Sequence, residues 1–410
     1  MSENLNPFRF YAGGERIKRL VDLDLAGKRV FLRADFNVPL KDGKITDDTR
    51  IRSVVPTIEY LRAKGAKVIC ASHLGRPNGE VNEAFTLEPV AARLGELLGI
   101  DVLFADDSVG IAVVREAKEL KPGGVMVLQN LRFHPEEEAN SENYATQLSQ
   151  VADFYVNDAF GASHRAHASI DALPRVMKNR AAGLLLEKEV EALTQIINNP
   201  QRPMMSILGG SKVSDKVKVI DALMVKSSKI FIGGAMAYTF LRALDVKVGS
   251  SRVEADKITL ARKILERAST AKCQIILPVD HLTGASFDNP GTPKVTQNAH
   301  ILDNAMALDI GPKTIELFTR ELAGAETIFW NGPMGVFEKP GFDVGTNAIA
   351  EFIAKSAAKV KVVGGGDSVA AVKKAGLEAG FTHVSTGGGA SLEMIEGAPM
   401  PGLEALKRKD

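Results

Sequence analysis

Cysteine is almost missing from this chain of 410 residues: Cys70 and Cys273 lie far apart, each beside an apolar run. Two thiols are too few for a disulfide framework and read as buried or half-buried groups in a reducing compartment. Long apolar stretches are missing too. None approaches the roughly 18 residues of a membrane-spanning helix, and the first residues (MSENLNPFRFYAGGERIKRL) lack the apolar core of a signal peptide. Nor is there excess charge of either sign: 51 Lys+Arg against 50 Asp+Glu leave +1. That balance gives no whole-chain attraction to nucleic acid or a membrane surface. These absences lead to the expectation of a cytoplasmic protein whose anion sites, if any, are local concentrations of positive charge.

What is present is a repeated unit: a short run rich in Val and Ile, a polar or Gly-rich segment, then a helical stretch. The first-half runs are Val30–Leu32, Val68–Ala71, Val125–Leu128 and Phe154–Val156; the second-half runs are Met204–Leu208, Ile230–Ile232, Ile275–Leu277, Thr327–Trp330 and Val360–Val363. Short apolar runs separated by helix-length segments predict parallel strands buried on both faces. The fold class expected is α/β, with two doubly wound parallel-sheet (Rossmann-like) domains and ligand sites outside the carboxyl ends of the strands. Leu186, Val190, Leu193 and Ile197 recur at helical spacing and predict a connecting helix and hinge between them. The domains are expected over residues 1–182, joined by the tail 396–410, and 183–395.

The strand ends of the two halves differ. After the first-half runs stand Arg33-Ala-Asp-Phe-Asn37, Ser72-His-Leu-Gly-Arg76, Arg132-Phe-His134 and His164-Arg165-Ala-His167, with Arg50 nearby. Arginine offers a planar fork suited to carboxylate and phosphate, while Asp35 and Asn37 add groups that suit a hydroxy acid. His134, His164 and His167 lack the accompanying carboxylates or thiols of a zinc site, so His164 and His167 are expected to join Arg165 in a strand-end network.

After the second-half runs stand Gly209-Gly-Ser-Lys212, Gly233-Gly234, Asn331-Gly-Pro-Met-Gly335, Gly364-Gly-Gly-Asp367-Ser368 and Thr386-Gly-Gly-Gly389. Glycine there lets backbone N–H groups approach phosphate. No G-x-x-x-x-G-K-[ST] occurs, nor a dinucleotide G-x-G-x-x-G in context, so the cradle is of another kind. Lys212 and Lys216, four residues apart, are expected on one face at the start of the helix containing Val217, Ile220, Leu223 and Met224. Asp367 suits Mg²⁺ between itself and phosphate oxygens, although Asp367 or Ser368 is also placed to cap a helix starting near Val369.

Taken together, Arg33-Ala-Asp-Phe-Asn-Val-Pro39, Asp48-Thr-Arg50, Ser72-His-Leu-Gly-Arg-Pro77, Asn130-Leu-Arg-Phe-His134, Asn157–His167, Leu208-Gly-Gly-Ser-Lys212, Trp330–Glu338, Gly364–Ser368 and Ser385–Ser391 resemble phosphoglycerate kinase, in family order from about residue 20 to the C-terminus. The resemblance implies reversible transfer of a phosphoryl group between ATP and 3-phosphoglycerate, in line, upon domain closure, with ATP/ADP and Mg²⁺. It implies a monomer that contacts neither nucleic acid nor membrane. It assigns Asp35, Asn37, Arg50, His73, Arg76, Arg132 and Arg165 to the acid, and Lys212, Lys216, Gly234, Ala307, Glu338, Gly365, Gly366, Asp367 and Ser368 to the nucleotide. Asp367 is the metal-side residue; Arg50, Lys212, Gly366 and Gly389 are the catalytic ones.

Chemistry agrees with the inventory. The acceptor carboxylate has a pKa of roughly 4 and is already ionised, so no general base is needed; positioned cations are. Another acyl-phosphate kinase, or an inactive ligand-binding relative, remains compatible with the glycine half. Three departures from the family pattern stand out: an extension over residues 1–16, Ala307 in place of a glycine, and Ser163 and Ser211 in place of alanines.

Overall fold

The computed structural model describes residues 17–407; the amino-terminal extension expected over residues 1–16 lies outside the described residues. The chain divides into two compact units, Met1–Glu191 with Pro399–Asp410, and Ala192–Ala398.

In the first unit, β1 (Arg29–Arg33) is followed by a hairpin of β2 (Leu40–Lys41) and β3 (Lys44–Ile45). Then come β4 (Lys67–Ala71), β5 (Val102–Phe104), β6 (Val125–Val127), β7 (Phe154–Asn157) and β8 (Arg180–Ala182). A parallel sheet runs β5-β6-β4-β1-β7-β8. The expected apolar runs lie within or closely overlap its four inner strands, which are almost wholly buried. Val30, Leu32, Val68, Cys70, Val125 and Val127 pack against Ile51, Val54, Ile58 and Leu61 of the helix Thr49–Ala63. Each such side chain contributes roughly 1.5–3 kcal/mol of transfer free energy. The edge strands β5 and β8 had no signal in the sequence, being three residues long, with β5 only half-buried and β8 reading Arg-Ala-Ala.

The second unit repeats the plan with β9 (Met204–Leu208), β10 (Lys229–Ile232), β11 (Gln274–Ile276), β15 (Thr327–Asn331), β16 (Val360–Gly364) and β17 (His383–Val384), in the order β11-β10-β9-β15-β16-β17. Between β11 and β15 a small antiparallel sheet of β12 (His281–Gly284), β13 (Lys294–Val295) and β14 (Met306–Ile310) intervenes. Trp330 is fully buried among Ile207, Phe231, Ile328 and Val363, against Ile349 and Ile353 of the helix Val344–Lys355. Strand order reverses between β1 and β7 in one sheet and between β9 and β15 in the other. Crevices open at such reversals.

The helix Leu184–Asn198 contains the division at Glu191 and Ala192, whereas the sequence had placed the boundary at the helix start. Leu186, Val190 and Leu193 are buried. Its first turn is capped by Asp158, whose Oδ1 accepts from Leu185 N and Leu186 N at 2.9 and 3.0 Å. Burial pushes that carboxyl up to about 7 despite the two donors. The chain end returns to the first unit through the short helix Pro401–Glu404: Gly402 N donates to Ser163 O at 2.9 Å, and Asn157 Nδ2 donates to Gly402 O at 3.3 Å. No helix among the described residues is long and apolar enough to cross a membrane. Both cysteines are buried and free.

Candidate functional site

At the carboxyl end of the first sheet, Arg33 is enclosed at 1% exposure. Its Nε donates to Ser169 Oγ at 2.7 Å, its Nη1 to Ala34 O, and its Nη2 faces His73 Nδ1 at 3.3 Å. A guanidinium only donates, so Nδ1 of His73 is the acceptor and the neutral ring keeps its proton on Nε2. Burial first, then Arg33, Arg132 and Arg50, hold His73 well below the usual histidine range. His167 is depressed to about 3 by burial and by Arg132, Arg33 and Arg165. Two imidazoles thus stay uncharged in a cationic surround, which is where an anion is missing electrostatically.

Arg132 is almost fully buried, donates through Nη1 to Gly75 O at 2.8 Å and pairs with Glu138 at 3.3 Å. Arg50 lies in the first turn of its helix and is tied to Asp35. Asn37 Oδ1 accepts from Gly75 N at 2.9 Å, which fixes the loop carrying His73 and Arg76. Arg76 is exposed and has no hydrogen bond or ion pair with another described residue. Arg165 Nε contacts His164 Nε2 at 3.2 Å. His134 stands apart from this group, paired with Asp107 at 2.7 Å and stacked on Tyr144. Ser163 is buried with its hydroxyl donating to Ala159 O at 2.9 Å.

In the second unit the loops after β9, β10 and β15 lie against one another. Gly209 N donates to Asn331 O at 2.9 Å, Met236 N to Gly210 O at 3.0 Å and Gly234 N to Met334 O at 2.9 Å. A Cβ at Gly209 would lie 2.0 Å from Pro333 O, and one at Gly234 2.6 Å from Gly210 O. These glycines are therefore demanded by backbone packed on backbone. Gly366 and Gly389 differ: a Cβ at either would meet nothing within 4 Å, and both begin helices, Gly366–Lys374 and Gly389–Ile395. Their N–H groups belong to the first turn, which has no partner within the helix.

Lys216 Nζ donates to Asn331 Oδ1, and Asn331 Nδ2 donates in turn to Gly364 O at 2.9 Å. Burial lowers the Lys216 ammonium, with Asp215, Glu396 and Asp367 acting the other way. Lys212 is exposed and has no partner among the described residues. A cleft of about 310 Å³ brings together Gly234, Ala307, Glu338 and Asp367 with Gly210, Tyr238 and Phe287. Lys212, Lys216, Gly365, Gly366 and Ser368 are not in its lining. Asp367 is exposed. Among the described residues no three His, Cys, Asp or Glu side chains gather as a metal site. One carboxylate beside a glycine loop fits an Mg²⁺ that arrives on phosphate oxygens and keeps much of its water.

The matching family model, described as phosphoglycerate kinase, covers residues 20–398. The chain belongs to the phosphoglycerate kinase family. It is 54% identical over 393 residues to a phosphoglycerate kinase of Anaeromyxobacter dehalogenans (strain 2CP-C), covering 95% of this chain and 99% of the relative. It is 51% identical over 397 residues to one of Acidobacterium capsulatum, covering 95% and 98%. The solved phosphoglycerate kinase of Coxiella burnetii superposes with a TM-score of 0.85 at 37% identity, and that of Pyrococcus horikoshii with 0.84 at 36%; each match covers 95% of this chain and 98% of the other.

Within this phosphoglycerate kinase framework, several sequence expectations need correction. Lys212 and Lys216 do not share a helical face: the helix spans Val217–Met224 with Lys216 as its N-cap, and Lys212 lies just upstream of a turn closed by Lys216 N to Val213 O at 2.9 Å. Neither Asp367 nor Ser368 caps the following helix, because Gly365 is the N-cap and Ser368 Oγ, fully buried, accepts from Gly332 N at 2.5 Å. Ala307, the departure from the family's glycine, packs with Tyr238, Leu241, Val248 and Ile301 while lining the cleft, and its N–H donates to Ser251 Oγ at 2.9 Å.

Other residues had escaped notice. Glu137, fully buried, accepts from Ser169 N at 2.8 Å and Ser169 Oγ at 2.5 Å, and so closes a relay from Arg33. Its place in the acidic run Glu136–Glu138 carries no mark of burial. Arg252 and Phe287 line the cleft, and neither belongs to a recognisable motif.

Proposed function

We propose that the first unit holds 3-phosphoglycerate and the second holds ATP or ADP with Mg²⁺, for the reversible phosphoryl transfer of the phosphoglycerate kinase family. The observation that carries this reading is the opposite make of the two strand-end sites. One is built of guanidinium and neutral imidazole around Arg33, His73 and Arg132; the other has glycine loops, two lysines and an exposed Asp367 beside a nucleotide-sized cleft.

Arg50, Arg76 and Arg165 with Asp35, Asn37, His73 and Arg132 orient the acid, and its phosphate supplies the negative charge that the cationic surround lacks. Gly234, Ala307 and Glu338 line the wall against the nucleoside. Asp367 would hold the Mg²⁺ that comes with the phosphates, and the ion would neutralise charge on them. Lys216, Gly365 and Ser368 hold the phosphate end, the last through Gly332. The acceptor carboxylate attacks unaided; Arg50, Lys212 and the N–H groups at Gly366 and Gly389 stabilise charge on the group in transfer. Transfer in line requires the two units to close on their ligands. We also read the protein as a cytoplasmic monomer, in keeping with two unbridged thiols.

A coupled assay with ATP and Mg²⁺ tests the reading, offering 3-phosphoglycerate, acetate and aspartate as acceptors. Turnover with 3-phosphoglycerate alone is expected. Turnover with acetate or aspartate and none with 3-phosphoglycerate would overturn the assignment of the basic site.

A further inference from the structure

The turn Val213–Lys216, which follows Lys212 directly and ends in Lys216, is held from outside by one carboxylate. Glu254 lies beyond β10 and its helix Met236–Ala243, 40 residues along the chain from Ser214. Its Oε2 accepts from Val213 N at 2.5 Å and from Ser214 N at 3.2 Å, while Oε1 accepts from Ser214 Oγ at 2.6 Å. Its own N–H donates to Thr239 Oγ1 at 3.1 Å, and Thr239 is buried in that helix. Three donors therefore converge on a carboxylate that is itself fixed to a packed element.

The bonds bracket Lys212. On one side Gly210 is fixed by Met236 N, and its loop is pressed against Gly234. On the other side Val213 and Ser214 are fixed by Glu254. Lys212 itself has an exposed side chain with no partner among the described residues. A cation on a backbone clamped two residues before it and directly after it, with its ammonium left free, is a donor prepared before its anion arrives. Lys216 is held at its side chain by Asn331 and at its backbone by Val213 O. The same anchor thus bears on both lysines, since Val213 supplies the turn that presents Lys216.

We propose that Glu254 is a positioning residue for phosphoryl transfer, holding the turn Val213–Lys216 so that Lys212 meets the group in transfer. The proposal rests on the reading of the lysines as phosphate-side cations. Glu254 has no contact with substrate in it and acts only through the turn. Carboxylate bonds to backbone N–H groups are the strong kind, and an ångström of misplacement in a catalytic group costs about 100-fold in rate.

The test uses Glu254→Ala and Glu254→Gln in the full chain, with steady-state kinetics, calorimetric binding of ADP, and amide hydrogen exchange at Val213 and Ser214. Glu254→Ala is expected to lower kcat by about 10- to 100-fold, to leave the ADP affinity within about threefold, and to speed exchange at both amides. Glu254→Gln retains one acceptor oxygen and should recover part of kcat. Unchanged exchange at the two amides would mean that the anchor does not exist; faster exchange with wild-type kcat would mean that it has no catalytic consequence. Either result overturns the proposal, as does a fall in ADP affinity equal to the fall in kcat/KM. The Lys212→Ala background separates the two readings. If Lys212→Ala alone leaves kcat intact, the assignment of Lys212 fails, and a continued loss from Glu254→Ala then assigns the anchor to Lys216.

Discussion

Arg50 donates through a single Nη1 to both oxygens of Asp35, at 3.1 and 3.0 Å, and the rest of its guanidinium has no partner among the described residues. The pair resolves a conflict, because Arg50 sits in the first turn of the helix Thr49–Ala63, where a cation opposes the helix dipole. Asp35 aims the arginine and offsets its cost while leaving most of its donors for a ligand. Arg50→Ala is therefore expected to lower kcat/KM for 3-phosphoglycerate by about 1,000-fold with ADP affinity unchanged in calorimetry. Asp35→Ala should raise KM for the acid more than it lowers kcat. Loss of ADP affinity in Arg50→Ala would place the arginine on the wrong substrate.

Lys212 and Lys216 should separate in kinetics as they do in environment. Lys212→Ala, which removes an exposed and unpaired cation, is expected to lower kcat by about 100-fold or more with little effect on Tm. Lys216→Ala also strips a partner from the buried Asn331, an unmade bond that costs about 1–3 kcal/mol. It should therefore lose activity and stability together. Equal thermal losses in the two variants would contradict this difference.

The glycines divide into two kinds, and substitution by alanine distinguishes them. Gly209→Ala drives a methyl to 2.0 Å from Pro333 O and should unfold or strongly destabilise the second unit. Gly389→Ala meets open space, so Tm should stay within a few degrees. If phosphate approaches that backbone closely, its kcat should fall nonetheless. A Gly389→Ala enzyme with full kcat would remove Gly389 from the catalytic set.

Two groups of the first unit, the half-buried His167 and the buried Asp158, should tilt its pH dependence in opposite directions. His167 titrates at about 3 in the folded protein and near 6.5 unfolded, so the unfolded chain binds more protons between those values. Its contribution to stability is present above about 6.5 and is lost as pH falls through that window. Asp158 is raised to about 7, so between about 4 and 7 the folded state holds the extra proton and stability falls as pH rises. Hydrogen exchange of the β1 amides between pH 5 and pH 7 reads both. His167→Gln should reduce the loss on acidification, and Asp158→Asn should steepen the rise with pH. Matching slopes in the two variants would show that one of these groups does not titrate as its burial implies.

Much of the fold was legible because parallel strands covered on both faces leave unbroken apolar runs, as Val125–Leu128 and Ile230–Ile232 do. The half-exposed edge strand Val102–Phe104 and the two-residue pairings of the antiparallel sheet leave no such mark. The basic cluster was legible because several arginines follow successive strands. What spacing failed to give was the set of long-range partners: Glu254 reaches Val213 across 41 positions and Glu137 reaches Ser169 across 32. Spacing also misled at Lys212 and Lys216, where a turn rather than a helix separates the two residues. Only the fold chooses such partners.

The bonds from Ser163 and Asn157 to Gly402 carry a consequence for synthesis. The segment after β7, which holds Arg165 and His167, is completed by residues that leave the ribosome only after the whole second unit. The first unit therefore waits, with Ser163 and Asn157 short of their final partners, while the whole second unit is translated and free to fold. A chain stalled before Pro399 would display one finished unit and one unfinished, in the reverse of the order in which they were made.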